Sequence, residues 1–196
     1  MNLRLVSSRV AVVGVIALAF VSTHAWHEHG VMDALLSGIV YSMLLVGAIG
    51  RIWCALYIAG RKNKDLVVSG PFSMTRNPLY LFSFIAFVGA GLSFESITLA
   101  AVFGTVFFAT HWRTILREER TLSEIFGPDY KAYMARVPRF LPQPRLYAPA
   151  AVVTLSVPVF VRAMVEAGLI PLAFLGAQAI EAGHEAGVLP TLLWLY

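Results

Sequence analysis

The run VMDALLSGIVYSMLLVGAIGRIWCALYI, Val31–Ile58, decides the fold class of this chain. Apart from Asp33 and Arg51 it carries no charge. As a helix rising about 1.5 Å per residue, the run is long enough to cross a hydrocarbon core of about 30 Å. It therefore predicts a transmembrane helix and an all-α integral membrane protein.

The composition of the whole chain supports the same class. Of its 196 residues, 58% are hydrophobic and 13% are charged, and the mean hydropathy is +0.73. Soluble domains average about 45–50% apolar and about 25% charged residues. Cys54 is the single cysteine, which excludes a disulfide framework and a thiolate metal cluster. We expect one membrane domain over residues 1–196, with the bilayer as a partner and no nucleic acid.

Apolar blocks predict about five spanning helices. Their approximate bounds are Val10–Trp26, Val31–Ile58, Leu79–Leu92, Ser96–Trp112 and Val159–Ala182. The first is predicted to be retained, because no small-x-small cleavage site follows it. Pro171 is expected to kink the last helix.

The basic residues predict the orientation of these spans. With a cytoplasmic N-terminus, Lys and Arg concentrate in the inside segments Met1–Arg9, Gly60–Pro78 and Arg113–Pro158. The segments on the other side contain neither residue type. This distribution fits the positive-inside rule. It predicts a multi-pass protein of a bacterial inner membrane, with a cytoplasmic region of loops and short helices.

The first long polar stretch is KDLVVSGPFSMTRNPLY, Lys64–Tyr80. Gly70-Pro71 and Asn77-Pro78 favour turns, and Pro78 suits the first turn of the next helix. The free N–H groups at a helix start attract a carboxylate or a phosphate. The alternative is an ordinary capped helix start, with Arg76 as an arginine that follows the positive-inside rule.

The second polar stretch is REERTLSEIFGPDYKAYMARVPRFLP, Arg117–Pro142. Its pair Glu118-Glu119 follows the fourth predicted span, and Gly127-Pro128 ends one helix and begins another. Tyr130 and Tyr133 recur at helical spacing. Taken alone, this stretch also fits two amphipathic helices at the membrane surface.

In this order, the two stretches resemble the membrane-embedded methyltransferases, which comprise isoprenylcysteine carboxyl methyltransferase and the phospholipid N-methyltransferases. The shared pattern is G-P-F-x-x-x-R-N-P-x-Y, an apolar hairpin, and E-E-x-x-L-x-x-x-F-G-x-x-Y-x-x-Y-x-x-x-V-P. The resemblance implies that S-adenosylmethionine binds from the cytoplasmic side. The cofactor-binding residues it implies are Lys64, Asp65, Leu66, Val67, Phe72, Asn77, Pro78, Leu79, Tyr80, Glu118 and Glu119.

Two positions depart from the family pattern. Prenylcysteine enzymes carry R-H-P where this chain has Arg76-Asn77-Pro78. The arginine that contacts the substrate carboxylate in the family would fall on Thr114. Arg113 and Arg117 lie nearby in sequence and are the candidates to orient the substrate. The resemblance thus implies the cofactor more strongly than the substrate.

The predicted function is an integral membrane methyltransferase that transfers a methyl group from S-adenosylmethionine to a lipid or isoprenoid-like acceptor, with carboxylate O-methylation favoured. Three alternatives stay open: a phospholipid amine N-methyltransferase, an NADPH-dependent membrane sterol-type reductase, and a non-catalytic membrane scaffold. Within the domain, residues 64–142 would form the methyltransferase core, preceded by two helices in 1–63 and followed by a linker and helix in 143–196. No metal site is predicted, and the histidines 24, 27 and 29 are assigned to an interfacial helix end.

Overall fold

The computed structural model describes residues 22–24, 31–188 and 193–195, and it is helical, as the sequence predicts. Two three-residue strands accompany the helices and pair in parallel, with Ser22 opposite Leu193. The elements are β1 (Ser22–His24), α1 (Val31–Ile58), α2 (Pro71–Met74), α3 (Pro78–Leu92), α4 (Ile97–Arg136), a 3-10 turn (Pro144–Leu146), α5 (Val157–Gly168), α6 (Leu172–Glu185) and β2 (Leu193–Leu195).

Two helices in the described part of the chain are long and apolar enough to cross a membrane. One is Leu35–Ile58 within α1, and the other is α4. Helix α3 is apolar but has 15 residues, which at about 1.5 Å each span less than a hydrocarbon core of about 30 Å. Two apolar helices fit a membrane protein, whereas the predicted number of about five spans is not confirmed.

The middle of the chain follows the predicted helices closely. Helix α1 has the predicted bounds, and α3 begins one residue before the predicted third span. A four-residue turn joins α3 to α4, where Glu95 adopts a positive φ of 51°. The Ser96 hydroxyl accepts a hydrogen bond from the Leu99 amide at 3.2 Å and caps the start of α4. The predicted helical hairpin is therefore present.

The predicted last span, Val159–Ala182, is wrong as a single helix. The structure has α5 and α6 there, separated at Leu169–Pro171. Proline lacks the N–H that would continue the helical hydrogen bonds, so the chain breaks instead of kinking. With 12 and 14 residues, neither helix is long enough to span by itself.

The predicted first span, Val10–Trp26, lies outside the described residues except for Ser22–His24. Those three residues form β1 and are not helical.

The chain forms two compact units. The first contains the described residues up to Leu45, Ile85–Thr110 and those from Pro171 onward. In it Gly91 lies so close to α4 that an added Cβ would be 2.6 Å from the Cα of Ala100. The glycine allows the two helices of the hairpin to pack closely.

The second unit consists of Val46–Phe84 and His111–Ile170, and it contains both polar stretches. One core cluster is formed by Cys54, Tyr57, Val67 and Phe72, and another by Tyr130, Tyr133 and Val137. Helix α4 breaks at Gly127, whose φ of 50° and ψ of −119° are not helical. The predicted end of one helix and start of another at Gly127-Pro128 is confirmed.

Candidate functional site

The start of α3 is fixed by the segment that follows α4. The Arg76 amide donates to the Pro138 carbonyl at 2.9 Å, and the Thr75 hydroxyl lies 3.1 Å from the Phe140 carbonyl oxygen. Thr75 is 1% exposed, so its hydroxyl is shielded from water. Residues distant in sequence thereby hold the Arg76-Asn77-Pro78 turn in one conformation.

Glu119 is the buried centre of this arrangement. Its Oε1 accepts a hydrogen bond from the Asn77 amide at 2.9 Å, and its Oε2 accepts one from the Arg139 Nε at 3.0 Å. The Arg76 Nε lies 3.7 Å from Oε1. Two arginines and an amide therefore surround a carboxylate that is 6% exposed. This network ties α4 to the start of α3.

Glu118 faces a different environment, because successive residues of a helix point about 100° apart. Its Oε2 accepts a hydrogen bond from the Tyr80 hydroxyl at 3.0 Å, and its Oε1 from the Lys62 ammonium at 2.6 Å. The Glu118 side chain is 32% exposed and that of Lys62 62% exposed. The rings of Tyr80 and His111 pack in an edge-type arrangement, with 5.9 Å between their centroids. Glu118 is thus oriented by neighbours and accessible to a ligand.

A cavity of about 370 Å³ lies beside Glu118, entirely within the second unit. Small-molecule sites typically enclose about 300–1,000 Å³. Predicted site residues that line it are Asp65, Leu66, Val67, Phe72, Asn77, Pro78, Leu79, Tyr80, Arg117 and Glu118. The structure therefore brings residues of both polar stretches to one cavity.

Three predicted site residues lie outside the lining of this cavity. Lys64 is exposed in the turn after α1, and Arg113 is exposed on α4. Glu119 is buried in its ion-pair network. The position of Glu119 indicates a structural role. Among the residues that the structure describes, no side-chain interaction of Lys64 or Arg113 connects either residue to the cavity.

Sequence reasoning missed several lining residues. Lys62 and Arg76 bring positive charge to the cavity, and Tyr130 and Tyr133 form part of its wall. Arg76 stands within the recognised motif and the two tyrosines within the second pattern, so these three had a sequence signal. Lys62 had none, because its proximity to Glu118 depends on a contact across 56 positions.

The two wall tyrosines are held firmly. The Tyr133 hydroxyl donates to the Phe72 carbonyl oxygen at 2.6 Å and ties the wall to α2. Tyr130 is 1% exposed. Burial, reinforced by the Glu119 carboxylate, raises the pKa of the Tyr130 hydroxyl to about 12, so the phenol stays neutral near pH 7.

The described residues contain no group of three or more His, Cys, Asp or Glu side chains placed to hold a metal ion. Of the three histidines assigned to a helix end, 27 and 29 lie outside the described residues, and His24 belongs to β1.

Comparison with known proteins identifies the family. A nickel-cobalt-cadmium resistance protein, NccN, of Alcaligenes xylosoxydans xylosoxydans is 35% identical over 189 residues, covering 94% of this chain and 86% of NccN. A cobalt-zinc-cadmium resistance protein, CzcN, of Cupriavidus metallidurans is 34% identical over 191 residues, covering 95% and 86%. No solved structure matches the chain.

The model of the phospholipid methyltransferase family matches residues 30–129, about half of the chain. That range includes α1, α2, α3 and most of α4 up to the break at Gly127. It therefore includes nearly all the residues around Glu118 and the cavity. This chain belongs to the phospholipid methyltransferase family.

Proposed function

We propose that the protein is an S-adenosylmethionine-dependent membrane methyltransferase that transfers a methyl group to the carboxylate of a lipid or isoprenoid-like acceptor. The observation that carries the proposal is Glu118, which is oriented by Tyr80 and Lys62 at the wall of a 370 Å³ cavity. The family match supports the reaction class.

The cavity contains groups that suit this cofactor, which presents a carboxylate, an amino group, ribose hydroxyls and an adenine ring. The Arg76 Nε is buried and lies 3.7 Å from Oε1 of Glu119, beyond hydrogen-bond distance, so it has a carboxylate nearby but no hydrogen-bond acceptor among the described residues. A carboxylate in the cavity would satisfy that donor. Glu118 and Asp65 would accept hydrogen bonds from amino or hydroxyl groups, and Leu66 and Phe72 would contact the adenine.

The chemistry asks little of the protein beyond alignment. When bound, S-adenosylmethionine would supply the methyl group of its sulfonium. An acceptor carboxylate oxygen would form the new C–O bond as the C–S bond breaks, with no proton to move. The fixed start of α3 and the orientation of Glu118 would provide the positioning that such an in-line transfer requires. Apolar walls such as Leu79 and Val67 would exclude water.

We further propose a multi-pass protein of the bacterial inner membrane, with the cavity on the cytoplasmic side. The two candidate spans support a membrane location, and the distribution of Lys and Arg in the sequence supports the orientation. The cytoplasmic leaflet is the side from which a water-soluble cofactor would enter. Cysteine labelling of single-cysteine variants in intact cells would test this orientation.

N-methylation of a phospholipid amine is the second candidate, because the matching family model describes phospholipid methyltransferases.

The names of NccN and CzcN refer to metal resistance. We propose that this chain acts in the same setting by methylating a membrane component. A deletion strain rescued equally well by wild type and by Glu118→Gln, under nickel, cobalt or cadmium, would contradict a role that depends on catalysis.

One experiment tests the cofactor and the acceptor atom. Purified protein in a neutral detergent is titrated with S-adenosylmethionine and with NADPH by calorimetry, and only the former is expected to bind. Membranes are then incubated with methyl-labelled cofactor. A methyl ester releases labelled methanol on mild base treatment, whereas a methylated amine keeps its label. Binding of NADPH alone would identify a reductase, and binding of neither cofactor would leave a scaffold.

A further inference from the structure

Arg51 is a charged residue inside an apolar helix, where the proposed mechanism gives it no role. It lies in the candidate span Leu35–Ile58 of α1, seven residues before the end of that helix. Ionisable residues inside membrane helices are costly and commonly mark a substrate or ion site. The environment of Arg51 therefore requires an explanation.

Neighbouring groups satisfy the Arg51 guanidinium only in part. Its Nη1 donates a hydrogen bond to the Ser83 hydroxyl, which in turn donates to the Leu79 carbonyl at 2.7 Å. Its Nε is buried without an acceptor, and no carboxylate of the described residues lies within ion-pair distance. A guanidinium surrounded by neutral groups favours a negatively charged ligand.

The position of the guanidinium is set by helix packing. An arginine near the end of a span commonly extends its charge toward the water. Here α1 and α3 pack so closely that a Cβ at Gly50 would lie 2.1 Å from the Phe82 ring. This contact brings Arg51 to Ser83, and the hydrogen bond between them keeps the charge between the helices.

The site is next to the cavity on both helices. Ser83 lies three residues, about 4.5 Å along α3, beyond Tyr80, which lines the cavity. Ile58 of α1 also lines the cavity and lies two turns from Arg51 on nearly the same face. All four residues belong to the second unit.

We propose that Arg51 is a specificity-determining residue that binds the negatively charged headgroup of an amphiphilic methyl acceptor. The inference rests on the proposed methyltransferase function. The headgroup is a carboxylate, or the phosphate next to an amine acceptor. Arg51 then selects the substrate in place of Arg113 and Arg117, which the sequence suggests and which are exposed on α4.

Binding is measured by calorimetry at pH 8.5 in a neutral detergent, without turnover. The probes are oleate, its uncharged methyl ester, oleoyl lysophosphatidic acid and inorganic phosphate. The ester removes the charge but keeps the tail, and inorganic phosphate keeps a charge without a tail. We expect wild type to bind the two anionic amphiphiles about tenfold or more tightly than the ester. Inorganic phosphate is expected to bind weakly.

Single substitutions show which arginine causes the tighter binding of anionic amphiphiles. Arg51→Gln is expected to abolish the preference for anionic amphiphiles, whereas Arg51→Lys retains part of it. Arg136→Gln removes one exposed arginine at the end of α4 and is expected to change nothing. Arg113→Gln and Arg117→Gln test the competing assignment.

The outcomes separate this inference from the proposed function. S-adenosylmethionine binding serves as the check on folding and on the function itself. If Arg51→Gln binds the cofactor normally and keeps the anion preference, the inference is overturned while the function stands. Loss of the preference in Arg113→Gln or Arg117→Gln instead would move the role to α4. If wild type does not bind the cofactor, the proposed function fails, whatever Arg51 binds.

Discussion

The adjacent glutamates Glu118 and Glu119 are expected to respond oppositely to the same substitution. Glu118→Gln and Glu119→Gln each remove one negative charge with almost no change of shape. Glu119 is 6% exposed and interacts with Asn77, Arg76 and Arg139. Removing one partner of such a buried network costs about 3–5 kcal/mol, because it leaves the remaining charges unpaired.

The expected cost for Glu118 is much smaller. Its partner Lys62 is largely exposed, and exposed ion pairs contribute about 0–1 kcal/mol. A hydrogen bond that the Glu118 carboxylate accepts from a charged ligand would contribute about 1.5–3 kcal/mol. Its loss would weaken S-adenosylmethionine binding about 10- to 150-fold.

Thermal unfolding in detergent and calorimetric titration separate the two effects. With about 2–4 °C per kcal/mol for a chain of this size, Glu119→Gln should unfold on the order of 10 °C below wild type. Glu118→Gln should unfold within a few degrees of wild type but bind the cofactor weakly. A Glu118→Gln protein with wild-type affinity would refute the assignment of Glu118, and an equally stable Glu119→Gln would refute the structural role of Glu119.

Three further predictions concern the frame of the cavity. Gly70→Ala should lower the free energy of unfolding, measured by chemical denaturation, by about 2–4 kcal/mol. The φ of 59° at this position is strained for alanine, and a Cβ would lie 2.3 Å from the Tyr57 ring. The control Gly38→Ala, with open space around it, should cost nothing in the same assay. Tyr133→Phe should cost about 1–3 kcal/mol, because the buried carbonyl of Phe72 loses its donor, and an unchanged melting temperature would argue against that bond. The raised pKa of Tyr130 implies a contribution to stability that is complete below pH 10, the usual phenol value, and is lost as the pH rises toward about 12. In unfolding curves measured over this alkaline range, Tyr130→Phe should therefore lose less unfolding free energy than wild type. Equal losses in the two proteins would contradict this assignment.

Features that depend on local chemistry were predictable from the sequence. The apolar run Val31–Ile58 set the bounds of α1, since continuous apolar residues favour a buried or membrane-spanning helix. Gly127-Pro128 marked the break in α4, because glycine tolerates a positive φ and proline starts a helix readily. The predicted last span failed because a proline inside an apolar run permits either a kink or a break, and local sequence does not distinguish them.

The tertiary structure decided what each polar residue does. The local sequence does not distinguish Glu118 from Glu119. Contacts with residues 38 and 56 positions earlier in the chain orient Glu118 toward a cavity, and a contact with a residue 42 positions earlier helps to bury Glu119. The same is true of Arg51, whose partner Ser83 lies 32 positions away. The sequence by itself determined the helical class and the family to which the chain belongs, because both depend on local composition and fixed spacings. The site, in contrast, depends on which side chains that are distant in sequence come together away from water, and this is decided by the packing of the helices.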